Sequence, residues 1–217
     1  MWRMRIDFIS DIVCPWCAIG LYSLEAAAAR IPGLVLDLHF HPFELNPGMG
    51  PEGQDIEEHL AQKYGASPEA LAGTRQAIRE RGAALGFEFR MEARSRIVNT
   101  RDGHRLLHWA GEAFGPALQR ALKVTLLKAY FTDGRNVSDR TVLLELAVAA
   151  GLPEAAAREV LDSDRFAADV AAAEAEVQAQ GIHGVPAIIL NQRHLIQGGQ
   201  SVDVFERLLR QVLAEAA

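Results

Sequence analysis

Ile12-Val13-Cys14-Pro15-Trp16-Cys17-Ala18-Ile19 holds the only two cysteines of this 217-residue chain, three positions apart. An apolar run (Ile6, Phe8, Ile9) precedes them, and a periodic segment through Leu21 and Leu24 to Arg30 follows. That context reads as strand, tight turn and helix, with both thiols in the first helical turn. Three residues is just under one turn, so both sulfurs can meet on one side. Cys14 stands where free backbone N–H groups and the helix dipole favour an anion, the condition for a thiolate at neutral pH. A thiolate attacks disulfides. Cys17, further along and more sheltered, is placed to resolve the mixed disulfide that results.

A second motif stands near the other end of the chain. Gly184-Val185-Pro186 runs into Ala187-Ile188-Ile189-Leu190, a short apolar strand. A proline opening a strand after glycine suits a rigid turn. A C-x-x-C at the start of the first helix, paired with Val-Pro before a late strand, resembles the thioredoxin fold. In that family the proline is cis and faces the cysteine pair. Val185 then has its backbone free to hold a substrate chain in extended form. The long separation of the two motifs requires a large insertion, which is similar to the DsbA-like branch and its helical insertion.

Further segments resemble the FrnE-type dithiol-disulfide isomerases: Asp11 to Cys17, Pro42-Phe43-Glu44-Leu45-Asn46-Pro47, Asn99-Thr100 leading to His104-Arg105-Leu106, and Ala129 to Arg135. The resemblance implies an α/β thioredoxin fold with a large all-helical insertion. It also implies a thiol-disulfide oxidoreductase or isomerase acting on protein or small-molecule disulfides. Some FrnE-type proteins carry an extra cysteine pair near the C-terminus. This chain has none, so a function needing a second disulfide relay is not expected.

The expected organisation has three parts: residues 1–47 as the first thioredoxin-fold portion, 48–153 as the helical insertion, and 154–217 as the second portion. Strands are expected at about Arg5–Ser10 and Val35–His41, the second from the alternation of Leu36, Leu38 and Phe40 with Asp37, His39 and His41. Pro42, Pro47, Gly48, Gly50, Pro51 and Gly53 mark an irregular entry to the insertion. Ser67 caps one helix, Asn99 or Thr100 starts the next, and Ser138 caps a helix that Gly151 and Pro153 stop. A helix over Asp164–Gln180 leads to the Val-Pro turn. The hairpin crosses Asn191-Gln192-Arg193, and a helix from Ser201 ends the chain.

Other residues are weighed against bland roles. Trp16, between the cysteines, offers either an aromatic surface for apolar substrate segments or a helix-start residue packed on the insertion. Asp11 is a candidate proton relay for Cys17, although acids also form turns and caps. His183 lies two residues before Val185 and would favour a thiolate when protonated; a loop histidine is more often simply solvated. Gln200 and Ser201 begin the last helix, whose N–H groups could hold a carboxylate, against the plainer reading of Ser201 as an N-cap. His39 and His41 read as the polar face of a strand. His104, His108, Trp109 and Tyr130 read as insertion core or surface.

Zinc would need two ligands beyond the cysteines. His39 and His41 share a strand face and could in principle supply them. His104 and His108 have an H-x3-H spacing but lie far beyond the usual finger distance. With no pair at a recognisable spacing from the cysteines, no metal is expected. The net charge of −6 argues against nucleic acid, and no apolar run reaches membrane-span length. Met1-Trp2-Arg3-Met4-Arg5 enters a strand with no apolar leader, which reads as cytoplasmic. No cofactor is expected beyond glutathione as a substrate or reductant. One rival is a glutathione-dependent isomerase or transferase, similar to hydroxychromene-carboxylate isomerases and kappa-class glutathione transferases. A serine commonly replaces the first cysteine in those families, and the intact pair here argues against that chemistry. The other rival is a non-enzymatic module whose thiols bind metal or a partner.

Overall fold

The computed structural model describes residues 1–65 and 67–215, with Pro68 described in its backbone only. Ala66, within the expected insertion, and Ala216-Ala217, at the end of the expected third part, lie outside these residues.

β1 (Trp2–Ser10) is the inner strand of the sheet, and it is buried from Ile6 onward. That burial matches its near-continuous apolar run. β2 (Leu34–Pro42) pairs with it in parallel, Trp2 opposite Leu34 through Ser10 opposite Pro42. A parallel pair needs a crossover, and α1 (Pro15–Ala29) supplies it. Alanines fill much of α1 and almost every side of it is covered. The Pro32-Gly33 turn, with Gly33 at φ +79°, returns the chain to β2.

β5 (Ala187–Leu190) lies antiparallel on the other side of β1, and β6 (His194–Gln197) completes the order β2-β1-β5-β6. Asn191 and Gln192 turn this hairpin at positive φ, 48° and 56°. The final helix, α9 (Val202–Glu215), packs against α1.

The chain between β2 and β5 is mostly helical: α2 (Ile56–Tyr64), α3 (Pro68–Ala84), α4 (Arg101–Phe114), α5 (Pro116–Phe131), α6 (Arg140–Ala149), α7 (Glu154–Leu161) and α8 (Ala167–Ala179). One two-residue pairing interrupts it, β3 (Gln54–Asp55) against β4 (Arg96–Ile97). Gly115-Pro116 separates α4 from α5. Asp139, rather than Ser138, caps α6, its carboxylate accepting from Thr141 and Val142 N–H. α8 begins three residues later than Asp164, because Phe166 sits at φ 63° and breaks the helical path. α4, α5 and α8 pack against β2. One apolar core runs through β1, α1, α4, α5, α6 and α9, so the insertion and the sheet are packed as a continuous body.

Candidate active site

β1 ends at Ser10, and three residues bring the chain to Cys14, which is extended (φ −95°, ψ 113°) and serves as the N-cap of α1. Cys14 is therefore one position ahead of the helix rather than inside its first turn. Pro15 at N1 suits the helix start, where an N–H has no intrahelical acceptor. Cys17 N–H donates to the Cys14 carbonyl at 3.1 Å, which sets the two residues over one another. Both are free thiols. Cys14 is 4% exposed and Cys17 is fully covered.

The Val185–Pro186 peptide is cis. The Cys14 thiol donates toward the Val185 carbonyl at 3.8 Å, so the two sequence motifs meet despite their separation. Gly198 N–H ties the Pro186 carbonyl at 2.8 Å to the end of β6. Two glycines let α1 close on this turn. A Cβ on Gly20 would lie 3.2 Å from Pro186 Cγ, and one on Gly199 would lie 2.8 Å from the Trp16 carbonyl. The chemistry this permits is attack by Cys14 on a sulfur held beside the Val185 backbone, with Cys17 directly behind.

Behind the cysteines lies a buried polar group. Asp11 Oδ1 accepts from Ile12 N–H (2.7 Å) and faces His104 Nε2 at 3.2 Å, while Oδ2 accepts from Leu45 N–H (2.8 Å). Burial alone would push the Asp11 carboxyl up. His104, the Leu45 N–H and Thr100 outweigh that and hold it below the ordinary carboxylate range. Burial pushes the Cys17 thiol well up, and its hydrogen bond and charge interaction with Cys14 add to the effect. The Lys123 cation and the Asp11 backbone N–H oppose it. Lys123, from α5, is itself buried, and burial pushes its ammonium below the ordinary lysine range.

In front of Cys14 a cleft of about 390 Å³ opens between the CPWC turn and the insertion. Cys14, Trp16 and Val185 form one wall. Leu71, Ile78, Met91 and Ile97 form an apolar lining opposite. Lys63, Arg75 and Arg94 also line it, and no carboxylate does among the described residues. Arg94 rests over the rings of Tyr130 and Phe131, at 5.2 and 5.0 Å, and donates to Tyr130 Oη.

The sequence candidates divide accordingly. Cys14, Cys17, Trp16, Val185 and Pro186 come together. Trp16 combines both of its readings: it lines the cleft and it lies under α3, with the Arg81 guanidinium 5.3 Å from its ring centroid. Asp11 is fully buried, with its carboxylate engaged by Ile12 N–H, Leu45 N–H and His104. His183 is exposed and lines a shallow depression with Val185 and Pro186. Ser201 is exposed, its hydroxyl accepting from Val204 N–H in the manner of an N-cap, and Gln200 donates to the Gln197 carbonyl. His39 and His41 pair with Asp37 and Asp7. Among the described residues, no three His, Cys, Asp or Glu are arranged to hold a metal. Sequence reasoning missed Lys63, Arg75, Arg94 and Lys123, and did not see His104 as the partner of Asp11.

A dithiol at the start of a helix, set against a cis-proline turn on a four-stranded sheet, defines the thioredoxin-fold oxidoreductases as a class. Residues 5–210 match the model of the DSBA-like thioredoxin domain, and the chain belongs to that family. It is similar to a probable DsbA oxidoreductase of Streptomyces coelicolor, with 35% identity and a TM-score of 0.88 over 98% of this chain and 91% of that one. It is 26% identical to the uncharacterised protein YwbO of Bacillus subtilis (strain 168), over 95% of this chain and 96% of that protein. The fold is also shared with the cytosolic disulfide reductase DsbM of Pseudomonas aeruginosa, solved with GSH, at 23% identity and a TM-score of 0.64 over 97% of this chain and 99% of that one.

Proposed function

We propose that the protein exchanges disulfides through Cys14 and Cys17, with Cys14 as nucleophile and Cys17 as the resolving thiol. The observation that carries this is the placement of the Cys14 sulfur 3.8 Å from the Val185 carbonyl, with Cys17 fully covered behind it. A substrate disulfide seated along Val185 is attacked by the Cys14 sulfur. One substrate sulfur leaves as a thiolate and the other stays bonded to Cys14. Cys17 then attacks Cys14, the second substrate thiol leaves, and the protein dithiol has become a disulfide while the substrate disulfide is reduced. If the substrate's own thiolate attacks before Cys17 closes, the same intermediate rearranges the disulfide instead. An extended substrate would pair with the Val185 backbone groups.

Glutathione as substrate or reductant is the second reading, and the cleft favours it. Lys63 and Arg94, which pair with no carboxylate among the described residues, and Arg75, which Glu57 holds at 3.1 Å, stand beside the nucleophile and suit a small thiol that carries carboxylates. A cytoplasmic setting agrees with a lone C-x-x-C used for chemistry rather than as a staple. No helix among the described residues is long and apolar enough to cross a membrane. The test is turnover of a peptide disulfide and of glutathione disulfide by the wild type and by Cys14→Ala. Turnover of at least one substrate, lost in the variant, is expected. Equal turnover in the variant overturns the reading.

A further inference from the structure

Lys63, Arg75 and Arg94 line the cleft in front of Cys14, and two of them are spent within the protein. Lys63 donates to the Leu45 carbonyl at 2.8 Å and to Asn46 Oδ1 at 2.7 Å, and Glu57 holds Arg75 at 3.1 Å. Arg94 differs. One terminal nitrogen donates to Tyr130 Oη at 3.2 Å, and the other points at the Met91 sulfur, 3.8 Å away and a weak acceptor. Its Nε is covered and has no hydrogen-bond partner. Among the described residues no carboxylate pairs with it. A part-buried guanidinium left in this condition calls for an explanation.

The group is nonetheless held in place. It lies 5.2 Å from the centre of the Tyr130 ring and 5.0 Å from that of Phe131. Both rings are buried, and Tyr130 Oη donates onward to the Arg96 carbonyl at 2.9 Å. A planar cation fixed on aromatic faces, with donors left over, is preorganised for an external anion, because little side-chain freedom is lost when the anion arrives. The wall around it is apolar, with Met91 and Ile97 on its own segment and Leu71 and Ile78 on α3. Such a wall displaces water and strengthens an attraction between charges.

We propose that Arg94 is a specificity-determining residue that seats a substrate carboxylate, so that Cys14 takes acidic disulfides in preference to neutral ones. This rests on the disulfide-exchange reading above and narrows its substrate class. The cysteines and the Val185 backbone make no distinction between an acidic and a neutral peptide. Arg94 does, since a carboxylate receives charge-assisted hydrogen bonds from the guanidinium and a neutral amide of the same shape receives weaker ones. A basic group brought to the same place meets Arg94, Lys63 and Arg75 together and is repelled.

Two symmetric peptide disulfides test this: acetyl-cysteine-leucine-glutamate amide, and the same peptide with glutamine for glutamate. Their blocked ends leave the glutamate side chain as the sole carboxylate. Second-order rate constants with the reduced protein are read from release of free peptide thiol. Each is divided by the rate of the same peptide with free dithiothreitol, which removes its intrinsic reactivity. Wild type should favour the acidic peptide at least about tenfold, and less so at high salt. Arg94→Met should lose most of that ratio, down to about twofold or less. Arg94→Gln, which keeps a polar chain beside Tyr130, gives the same reading if the methionine variant does not fold. A ratio undiminished in either folded variant overturns the proposal. Equal rates for the two peptides with wild type also overturn it, and leave the disulfide-exchange reading standing. No reaction with either peptide overturns both.

Discussion

Among the described residues, Arg105 and Lys123 are both buried to within 2% of full coverage, and they are treated in opposite ways. Arg105, on α4, donates to Asp102 and to the carbonyls of Val160, Ser163 and Arg165, which joins α4 to the α7–α8 connection. Lys123, on the adjacent α5, has no hydrogen-bond partner and lies over the Phe40 ring. A fully satisfied buried charge holds structure in place, because removing it strands every partner. An unsatisfied one holds nothing in place and disfavours folding. The difference separates a charge that holds the insertion together from one that works against its packing.

The largest expected effect tests the first half of that contrast. Arg105→Met strands the carbonyls of Val160, Ser163 and Arg165, while Asp102 keeps Arg140 at 3.0 Å, and should cost about 3–5 kcal/mol. In thermal unfolding this is a fall in Tm on the order of 10 °C. Below that temperature, the rate of disulfide turnover should be little changed. A loss of turnover without a loss of stability would reverse the assignment.

Asp11→Asn comes next, at about 2–3 kcal/mol, because an amide replaces an ionised acceptor of three hydrogen bonds. Its pH dependence has a definite sign. The folded Asp11 carboxyl is held below the ordinary carboxylate value of 3.8, so its contribution is complete above that pH and is lost as pH falls through the folded value. Urea unfolding at a series of acid pH values should therefore show wild type losing an increment that the variant never had. Parallel curves would mean that Asp11 is not held ionised.

Gly199→Ala should cost about 1–3 kcal/mol, since its Cβ would meet the Trp16 carbonyl at 2.8 Å and neither backbone yields easily. The seating of α1 on the proline turn should loosen with it. Increased Trp16 solvent exposure, read by fluorescence quenching, is the check.

Lys123→Met is the smallest in stability and should be neutral or slightly favourable. The Lys123 ammonium lies below the ordinary lysine value of 10.5 in the fold, so the unfolded chain binds the proton more readily and the lysine disfavours folding at neutral pH. Any advantage of the variant should shrink as pH rises toward 10.5. A variant several kcal/mol less stable would place Lys123 with Arg105 as a structural residue.

Much of this architecture was legible in the residues. The apolar run of β1, the alternation of β2 and the hairpin around Asn191 each had a period that matched their burial. The C-x-x-C and Val-Pro motifs brought the reacting groups together. What escaped notice had physical reasons. Lys123 lies beside the Leu118, Leu122, Leu126 stripe, where a lysine normally reads as a solvent face; here α5 is covered on more than one side. His104 and Asp11 are 93 positions apart, and no periodicity joins them. β3 and β4 are two residues each, too short for alternation to register. At Ser138-Asp139 two good capping residues adjoin, and only the geometry selects the second.

The central claim is the division of roles between the two cysteines, and trapping tests it most directly. Cys17→Ala and Cys14→Ala are each incubated with a peptide disulfide, and the adduct is located by mass spectrometry after proteolysis. With Cys17→Ala, a stable mixed disulfide on Cys14 is expected, because nothing remains to resolve it. With Cys14→Ala, no adduct is expected, because Cys17 is fully covered. Efficient capture of the peptide on Cys17 by the Cys14→Ala variant, with none on Cys14 in the other, would contradict the account.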